Sequence, residues 1–224
     1  MTTSLFITAT GTGVGKTFIS RGLARALTAR GGRVAALKPL ETGCVDGHAD
    51  DATALAHAAR RPELATAAGF YRATLPAAPY AAHLAGETVV PPTDALVKAI
   101  RDASAGASYT LVEGAGGLLV PLDATRTTAD LIRALGIPAL VIAPDTLGVL
   151  SHVFTLTHTA DVLGIPLAAI VLSQHGPGDA SRATNARILA ERLPIPVYVI
   201  PPTAHDDDAL AKAVTTAGLV RLFD

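Results

Sequence analysis

The 224-residue chain holds one cysteine, so it closes no internal disulfide. Charge of one sign is also missing. Eighteen Lys and Arg stand against nineteen Asp and Glu, a formal net charge of -1. A nucleic-acid binder needs a basic face for the phosphate backbone, so that class is disfavoured. No run of 18 or more apolar residues occurs, so no membrane-spanning helix is expected. The opening "MTTSLFITAT" has no basic segment before its strand-like run. No signal peptide is read there, and a cytoplasmic protein is expected. Linkers, low-complexity tracts, internal repeats and His/Cys/Asp clusters with zinc spacing are all missing too.

What is present is a core. Apolar residues make up 50% of the chain, enough for one sizeable domain over residues 1–224. Near-continuous apolar runs recur at 4–10, 33–39, 109–114, 138–144, 167–173 and 196–202. Such runs suit strands buried on both faces, as in parallel sheets. Amphipathic stretches at 15–30, 50–60, 93–106, 127–135, 148–163, 179–192 and 207–222 lie between them. The alternation predicts a doubly wound, mainly parallel α/β fold. Residues 70–92 form a proline-interrupted excursion.

"TATGTGVGKTF" (8–18) falls where the first strand meets the first helix. Glycines there let backbone N–H groups converge on phosphate oxygens, and the helix start adds a favourable dipole. Gly11, Gly13 and Gly15 form the cradle and Lys16 brings a mobile positive charge. The Thr17 hydroxyl can ligate Mg²⁺. The common pattern wants a glycine where Thr10 stands, so the cradle is longer or differently closed.

Mg²⁺ takes hard oxygen ligands. "TLVEGAGG" ends an apolar run with Glu113. The carboxyl ends of parallel strands share one edge, so Glu113 is expected to face Thr17. A second acid comes from "HADDATAL", where either Asp50 or Asp51 could instead be a helix N-cap. "ALKPLETG" places Lys38 at the end of the second strand, pointing to the same crevice. Two lysines and a divalent cation would neutralise a phosphoryl group in transfer.

Together these residues resemble the dethiobiotin synthetase family, a P-loop nucleoside triphosphatase type. The resemblance rests on "TATGTGVGKT" (8–17), "KPLETG" (38–43), "VEGAGGLLVPL" (112–122) and "DTLGVLSH" (145–152), in family order over essentially the whole chain. The family's loop is one residue longer between its first glycine and the Gly-Lys-Thr, which accounts for Thr10. The resemblance implies an ATP- and Mg²⁺-dependent ligase of biotin synthesis. Such an enzyme closes a ring on 7,8-diaminononanoate with CO₂, through a carbamate and a carbamic–phosphoric anhydride. It also implies a homodimer.

By the same resemblance, Lys16, Lys38 and Thr12 act on the phosphate and carbamate, and Thr17, Asp51 and Glu113 hold Mg²⁺. Gly13 to Phe18, Gly114, Ala115, Gly116, Ser173, Gln174, Pro201, Pro202 and Thr203 line the nucleotide site. Thr42 touches substrate. Gly148, Val149, Leu150 and Ser151 open a helix whose amides take the substrate carboxylate across the dimer. Three departures stand out. Ala9 replaces the first loop glycine, Ser151 replaces an Asn, and Ser173 stands where an adenine-reading Asn is usual. The last predicts looser nucleotide choice. The seven histidines read as scattered, Cys44 as incidental, and "HDDDA" (205–209) as a helix cap.

Two alternatives differ in class. A cobyrinate-type amidotransferase would need a further domain with a Cys nucleophile. A partitioning-type P-loop ATPase switch would want a lysine where Gly11 stands.

Overall fold

The computed structural model describes residues 3–224. Met1 and Thr2, with which the expected domain begins, lie outside the described residues. Six parallel strands form the main sheet: β1 (Ser4–Ala9), β2 (Val34–Leu37), β5 (Tyr109–Glu113), β6 (Ala139–Pro144), β7 (Leu167–Ser173) and β8 (Val197–Ile200). Their spatial order is β2-β5-β1-β6-β7-β8. Each falls on one of the six apolar runs.

Period-two alternation sends successive side chains to opposite faces, and both faces are covered. Leu5, Ile7 and Ala9 of β1 pack with Phe18, Ile19 and Leu23 of α1 (Lys16–Ala29) and with Leu210 and Val214 of α8 (Asp207–Thr216). Phe6 between them faces the other layer. That layer holds Leu96 and Ile100 of α4 (Thr93–Ala103), Leu131 of α5 (Thr128–Leu135) and Val153 of α6 (Val149–Val162). Each buried Leu or Ile contributes about 1.5–3 kcal/mol, so the two layers supply most of the driving force. Among the described residues, no helix is long and apolar enough to cross a membrane.

Local signals set the helix ends. Thr127 and Asp130 form a capping box at the start of α5, and Gly136 ends it at φ 67°. The stretch expected as a helix over 179–192 divides into a 3₁₀ turn, Ala180–Ala183, and α7 (Asn185–Arg192). The 207–222 stretch likewise ends α8 at Thr216 and closes with a 3₁₀ turn, Leu219–Phe223.

The 70–92 excursion has structure of its own. β4 (Tyr71–Ala73) pairs in parallel with β3 (Leu40–Thr42), a second small sheet. α3 (Pro79–Leu84) follows, with proline at its first position. Three-residue strands lie below what a periodicity pattern can resolve. Their main effect is to build a wall beside the carboxyl edge of the main sheet.

Candidate active site

The phosphate loop leaves β1 at Ala9 and enters α1 at Lys16. Gly13 and Gly15 adopt φ of 73° and 97°, which side-chain-bearing residues rarely tolerate. Behind the loop, an added Cβ at Gly117 would meet the Ala9 carbonyl oxygen at 2.8 Å, so the "VEGAGG" turn packs its backbone directly on the end of β1. Ala9 itself is buried in the strand.

Strand register brings the chemistry together. Leu37 of β2 pairs with Val112 of β5, so the next residues, Lys38 and Glu113, lie side by side. Lys38 Nζ is 2.6 Å from Glu113 Oε1 and 2.9 Å from Asp51 Oδ2. It also donates to the Gly114 carbonyl at 3.4 Å. The Thr17 hydroxyl donates to the same Glu113 oxygen at 2.8 Å. Glu113 Oε2 is buried and, among the described residues, has no hydrogen-bond partner. Lys16 Nζ reaches the Gly11 carbonyl at 3.2 Å.

The two lysines differ electrostatically. Burial pulls the Lys38 pKa down, but Glu113 first and Asp51 next outweigh it and hold the ammonium above the ordinary lysine range. Lys16 is shifted the other way. Burial and the nearby Lys38 charge lower its pKa against the pull of Glu113 and Asp51. Asp51 resists its own desolvation because Lys38, Thr17 and Lys16 favour its charged form, and its pKa falls.

Glu41 was not singled out by its sequence context. Its buried carboxylate accepts the amide of Asp51 at 2.7 Å and that of Ala52 at 2.9 Å. It therefore caps α2 (Asp50–Ala58), whose own N-cap position is Ala49. The expectation that Asp50 or Asp51 caps this helix gives way to that arrangement. Asp50 is exposed, and Asp51 is free to meet Lys38. Burial raises the Glu41 pKa, partly offset by the two amides. The sequence signal was a lone Glu three residues beyond Lys38, with nothing local to say which helix it would cap.

A cavity of about 710 Å³ runs over these residues. Thr12, Gly13, Gly15, Lys16 and Thr17 line it, with Lys38, Asp51, Ala115 and Gly116. Leu40, Glu41, Thr42, Val120 and Pro76 of the excursion line it too. So do Phe18, Arg21, His175 and His205. His175 and His205, read as scattered in sequence, meet with ring centroids 4.6 Å apart.

Other expected residues lie elsewhere. Val14 is half-buried against the α1 layer. Gly114 is buried, where a Cβ would meet the Phe6 ring at 2.7 Å. Ser173 is buried beneath the loop, its hydroxyl 3.1 Å from where a Gly15 Cβ would stand. The Gln174 amide donates to Asp145 at 2.9 Å. Pro201 and Pro202 are exposed, and Thr203 donates to the Pro201 carbonyl. Among the described residues, these three are outside the cavity wall. Gly148 to Ser151 begin α6, also outside that wall, with Gly148 at φ 93° and Val149 buried. Cys44 is buried, and burial raises its thiol pKa, the opposite of an activated nucleophile.

The arrangement fits a hard divalent cation. Thr17 meets Glu113 directly, Asp51 meets it through Lys38, and Glu113 Oε2 is a buried acceptor left over among the described residues. Among the described residues, no group of three or more His, Cys, Asp or Glu could enclose a metal alone.

A glycine-rich loop at the carboxyl edge of a parallel sheet, opening a helix beside a strand-end carboxylate, defines a P-loop α/β protein of nucleoside triphosphatase type. Solved structures agree on the fold. The septum site-determining protein MinD of Pyrococcus horikoshii OT3, complexed with Mg-ADP, superposes with TM-score 0.54 at 16% identity, over 100% of this chain and 93% of that one. The signal recognition particle receptor FtsY of Elizabethkingia anophelis gives 0.59 at 14%, and the chain spans 65% of that receptor's length. A family described as "AAA domain" matches residues 3–206. Sequence relatives are more specific. ATP-dependent dethiobiotin synthetase BioD of Anaeromyxobacter dehalogenans (strain 2CP-C) is 42% identical over 175 residues, 78% of each chain. The protein of that name from Aquifex aeolicus (strain VF5) is 36% identical over 200 residues, 88% of each. The chain belongs to the dethiobiotin synthetase family.

Proposed function

We propose that the chain, acting as a single domain, is a cytoplasmic ATP-dependent ligase that closes the ureido ring of dethiobiotin in biotin synthesis. Its substrates are 7,8-diaminononanoate, CO₂ and ATP. Family membership supports this reading. The observation that carries it is the convergence of Lys38, Asp51 and Thr17 with Glu113 beside the phosphate loop, in a cavity with room for a second substrate.

One substrate amine adds to CO₂ and loses a proton, giving a carbamate. A carbamate oxygen attacks the γ-phosphorus of ATP and ADP leaves, forming a carbamic–phosphoric anhydride. The second amine attacks its carbonyl carbon, phosphate departs, and the ring closes. No protein nucleophile is needed, and the buried Cys44 is not suited to be one. Catalysis rests on positioning and charge neutralisation. Backbone amides of Gly13 to Thr17 hold the phosphates. Lys16 reaches the terminal phosphoryl group. Lys38, kept charged by Glu113 and Asp51, faces the carbamate side of the cavity. Thr12 and Thr42 supply hydroxyls there. Thr17, Asp51 and Glu113 would hold Mg²⁺, which would supply positive charge against the phosphate charge.

The α6 start at Gly148–Ser151, outside the cavity wall, fits a role completed by a second copy of the chain. In a homodimer its amides would take the substrate carboxylate. The switch-ATPase alternative wants a lysine at Gly11, which is not there.

The test is direct. Purified protein with 7,8-diaminononanoate, bicarbonate, Mg²⁺ and ATP should yield dethiobiotin by mass spectrometry, with one phosphate released per product. Lys38→Ala should abolish it. Nucleotide binding without product from ATP, CTP or GTP would overturn the reading.

A further inference from the structure

We propose that Arg72 is a positioning residue for the ring closure: it pins the Lys38 peptide at the open edge of the main sheet and so aims the Lys38 ammonium. The inference rests on the ligase reading above, which gives Lys38 its role.

β2 is an edge strand of the main sheet, with β5 as its neighbour on one side. Carbonyls point alternately to the two sides of a strand. The Arg33 carbonyl faces β5, where it takes the Ser108 and Tyr109 amides at 2.7 and 3.3 Å. Lys38 is five residues on, so its carbonyl faces the open side. Pro39 follows and brings no N–H to the turn. The sheet itself therefore offers the Lys38 carbonyl no ladder bond.

β4 of the excursion supplies the missing donor. Arg72 Nη1 donates to the Lys38 carbonyl at 2.9 Å and to the Tyr71 carbonyl at 2.9 Å, and Nη2 donates to the Ala65 carbonyl at 3.3 Å. The Tyr71 amide donates to the Pro39 carbonyl at 2.8 Å. Adjacent residues of one strand thus hold the carbonyls of Lys38 and Pro39. Burial lowers the Arg72 pKa, with Glu41 and then Cys44 opposing. A guanidinium keeps its charge in such a site. Its planar fork also reaches several acceptors at once, which a single ammonium does less well.

Arg72 pairs in register with Glu41 across the small sheet, so the two side chains leave the same face. Each directs its charge to backbone. Glu41 takes the amides at the start of α2, which carries Asp51. Arg72 takes the carbonyl of Lys38. Lys38 and Asp51 then meet at 2.9 Å. Each partner of that ion pair is fixed by one residue of the small sheet.

The experiment joins steady-state kinetics to an acetylation footprint of the lysines, both on the full chain. Arg72→Met should lower kcat by about ten- to hundredfold. It should leave the KM for ATP within about threefold of wild type. The footprint is read by mass spectrometry without nucleotide or diamine. Lys38 should react about tenfold faster in Arg72→Met than in the wild type. Lys16, also buried, should keep its wild-type rate, with the exposed Lys98 and Lys212 as references. Arg72→Lys keeps one donor and should recover part of the kcat. So should free guanidinium added to Arg72→Ala, through the cavity of about 270 Å³ that Arg72 lines with His48, Thr53 and Phe70. Equal exposure of Lys16 and Lys38 would mark a general loosening of the fold and overturn the proposal. So would an unchanged kcat, a loss confined to the KM for ATP, or an unchanged Lys38 footprint. Failure of both Arg72→Lys and guanidinium to recover activity would overturn it too. A wild type that makes no dethiobiotin would sink the proposed function, and the footprint would still decide whether Arg72 holds Lys38.

Discussion

Glu41 accepts the backbone amide of Asp51 at 2.7 Å, and that bond frees the Asp51 carboxylate for Lys38. A helix start that would otherwise use its own aspartate is capped from another strand. Glu41→Ala should remove both amide bonds and cost about 1–2 kcal/mol, a fall in Tm of about 2–8 °C. Activity should fall as well, by about tenfold or more, because Asp51 and Lys38 lose their fixed geometry. Asp50→Ala should stay within about 0.5 kcal/mol of wild type. Thermal melts of the two variants check this, and an Asp50→Ala loss as large as that of Glu41→Ala would refute it.

Lys38→Met keeps the length of the side chain and removes its charge. It should lower kcat by about 10²–10³-fold. It should also destabilise the fold by roughly 3–5 kcal/mol, because Glu113 is left buried without its counter-charge. Adding Glu113→Gln should recover part of that stability and none of the activity. Urea unfolding and single-turnover rates separate the two effects.

Glu113→Gln alone should raise the Mg²⁺ concentration for half-maximal activity by about tenfold or more. The carboxylate is the buried member of the donor set, and its Oε2 has no other partner among the described residues. A Mg²⁺ titration with an unchanged midpoint would remove Glu113 from the metal site.

The alkaline limb of the pH profile should belong to Lys16. Its pKa is lowered by burial and by Lys38, whereas that of Lys38 is raised by its carboxylate partners. As pH climbs, Lys16 loses its proton first, below the ordinary lysine value of about 10.4. The kcat/KM for ATP should decline there while Lys38 stays charged. The sign for stability follows from the raised Lys38 pKa. Its contribution is complete below the unfolded value and is lost only as pH rises through the folded one. Lys16→Arg should move the limb to higher pH at reduced activity, and a limb that stays in place assigns it to another group.

Gly117→Ala should strain the phosphate loop from behind. Its Cβ would meet the Ala9 carbonyl oxygen at 2.8 Å, a contact that only a backbone shift can relieve. The cost should be about 1–3 kcal/mol, with a raised KM for ATP. Gly176→Ala, at an exposed position with open space for a Cβ and no positive φ, controls for glycine removal in general.

The main sheet was legible in the sequence because strands buried on both faces leave continuous apolar runs, and all six did. Lys38 and Glu113 could be named because each closes such a run, and Lys16 and Thr17 because the glycine-rich loop after the first run leads into them. Glu41 could not, since its role depends on where another helix begins. The His175–His205 pair was hidden for a related reason. Thirty residues separate the two, and only the parallel pairing of β7 with β8 brings their following loops together. The short β3–β4 pair lies below the length at which alternation carries a signal.

The strand order has a consequence for how the protein is made. β1 and β2 are consecutive in the chain, yet β5 lies between them. A ribosome will have released the phosphate loop and Lys38 long before the strand that joins them. Until residues 109–113 insert, the two halves of the catalytic edge have no hydrogen bonds to each other. The phosphate loop and the Lys38–Glu113 pair therefore mature at different times during synthesis, and the late insertion of one central strand brings them together.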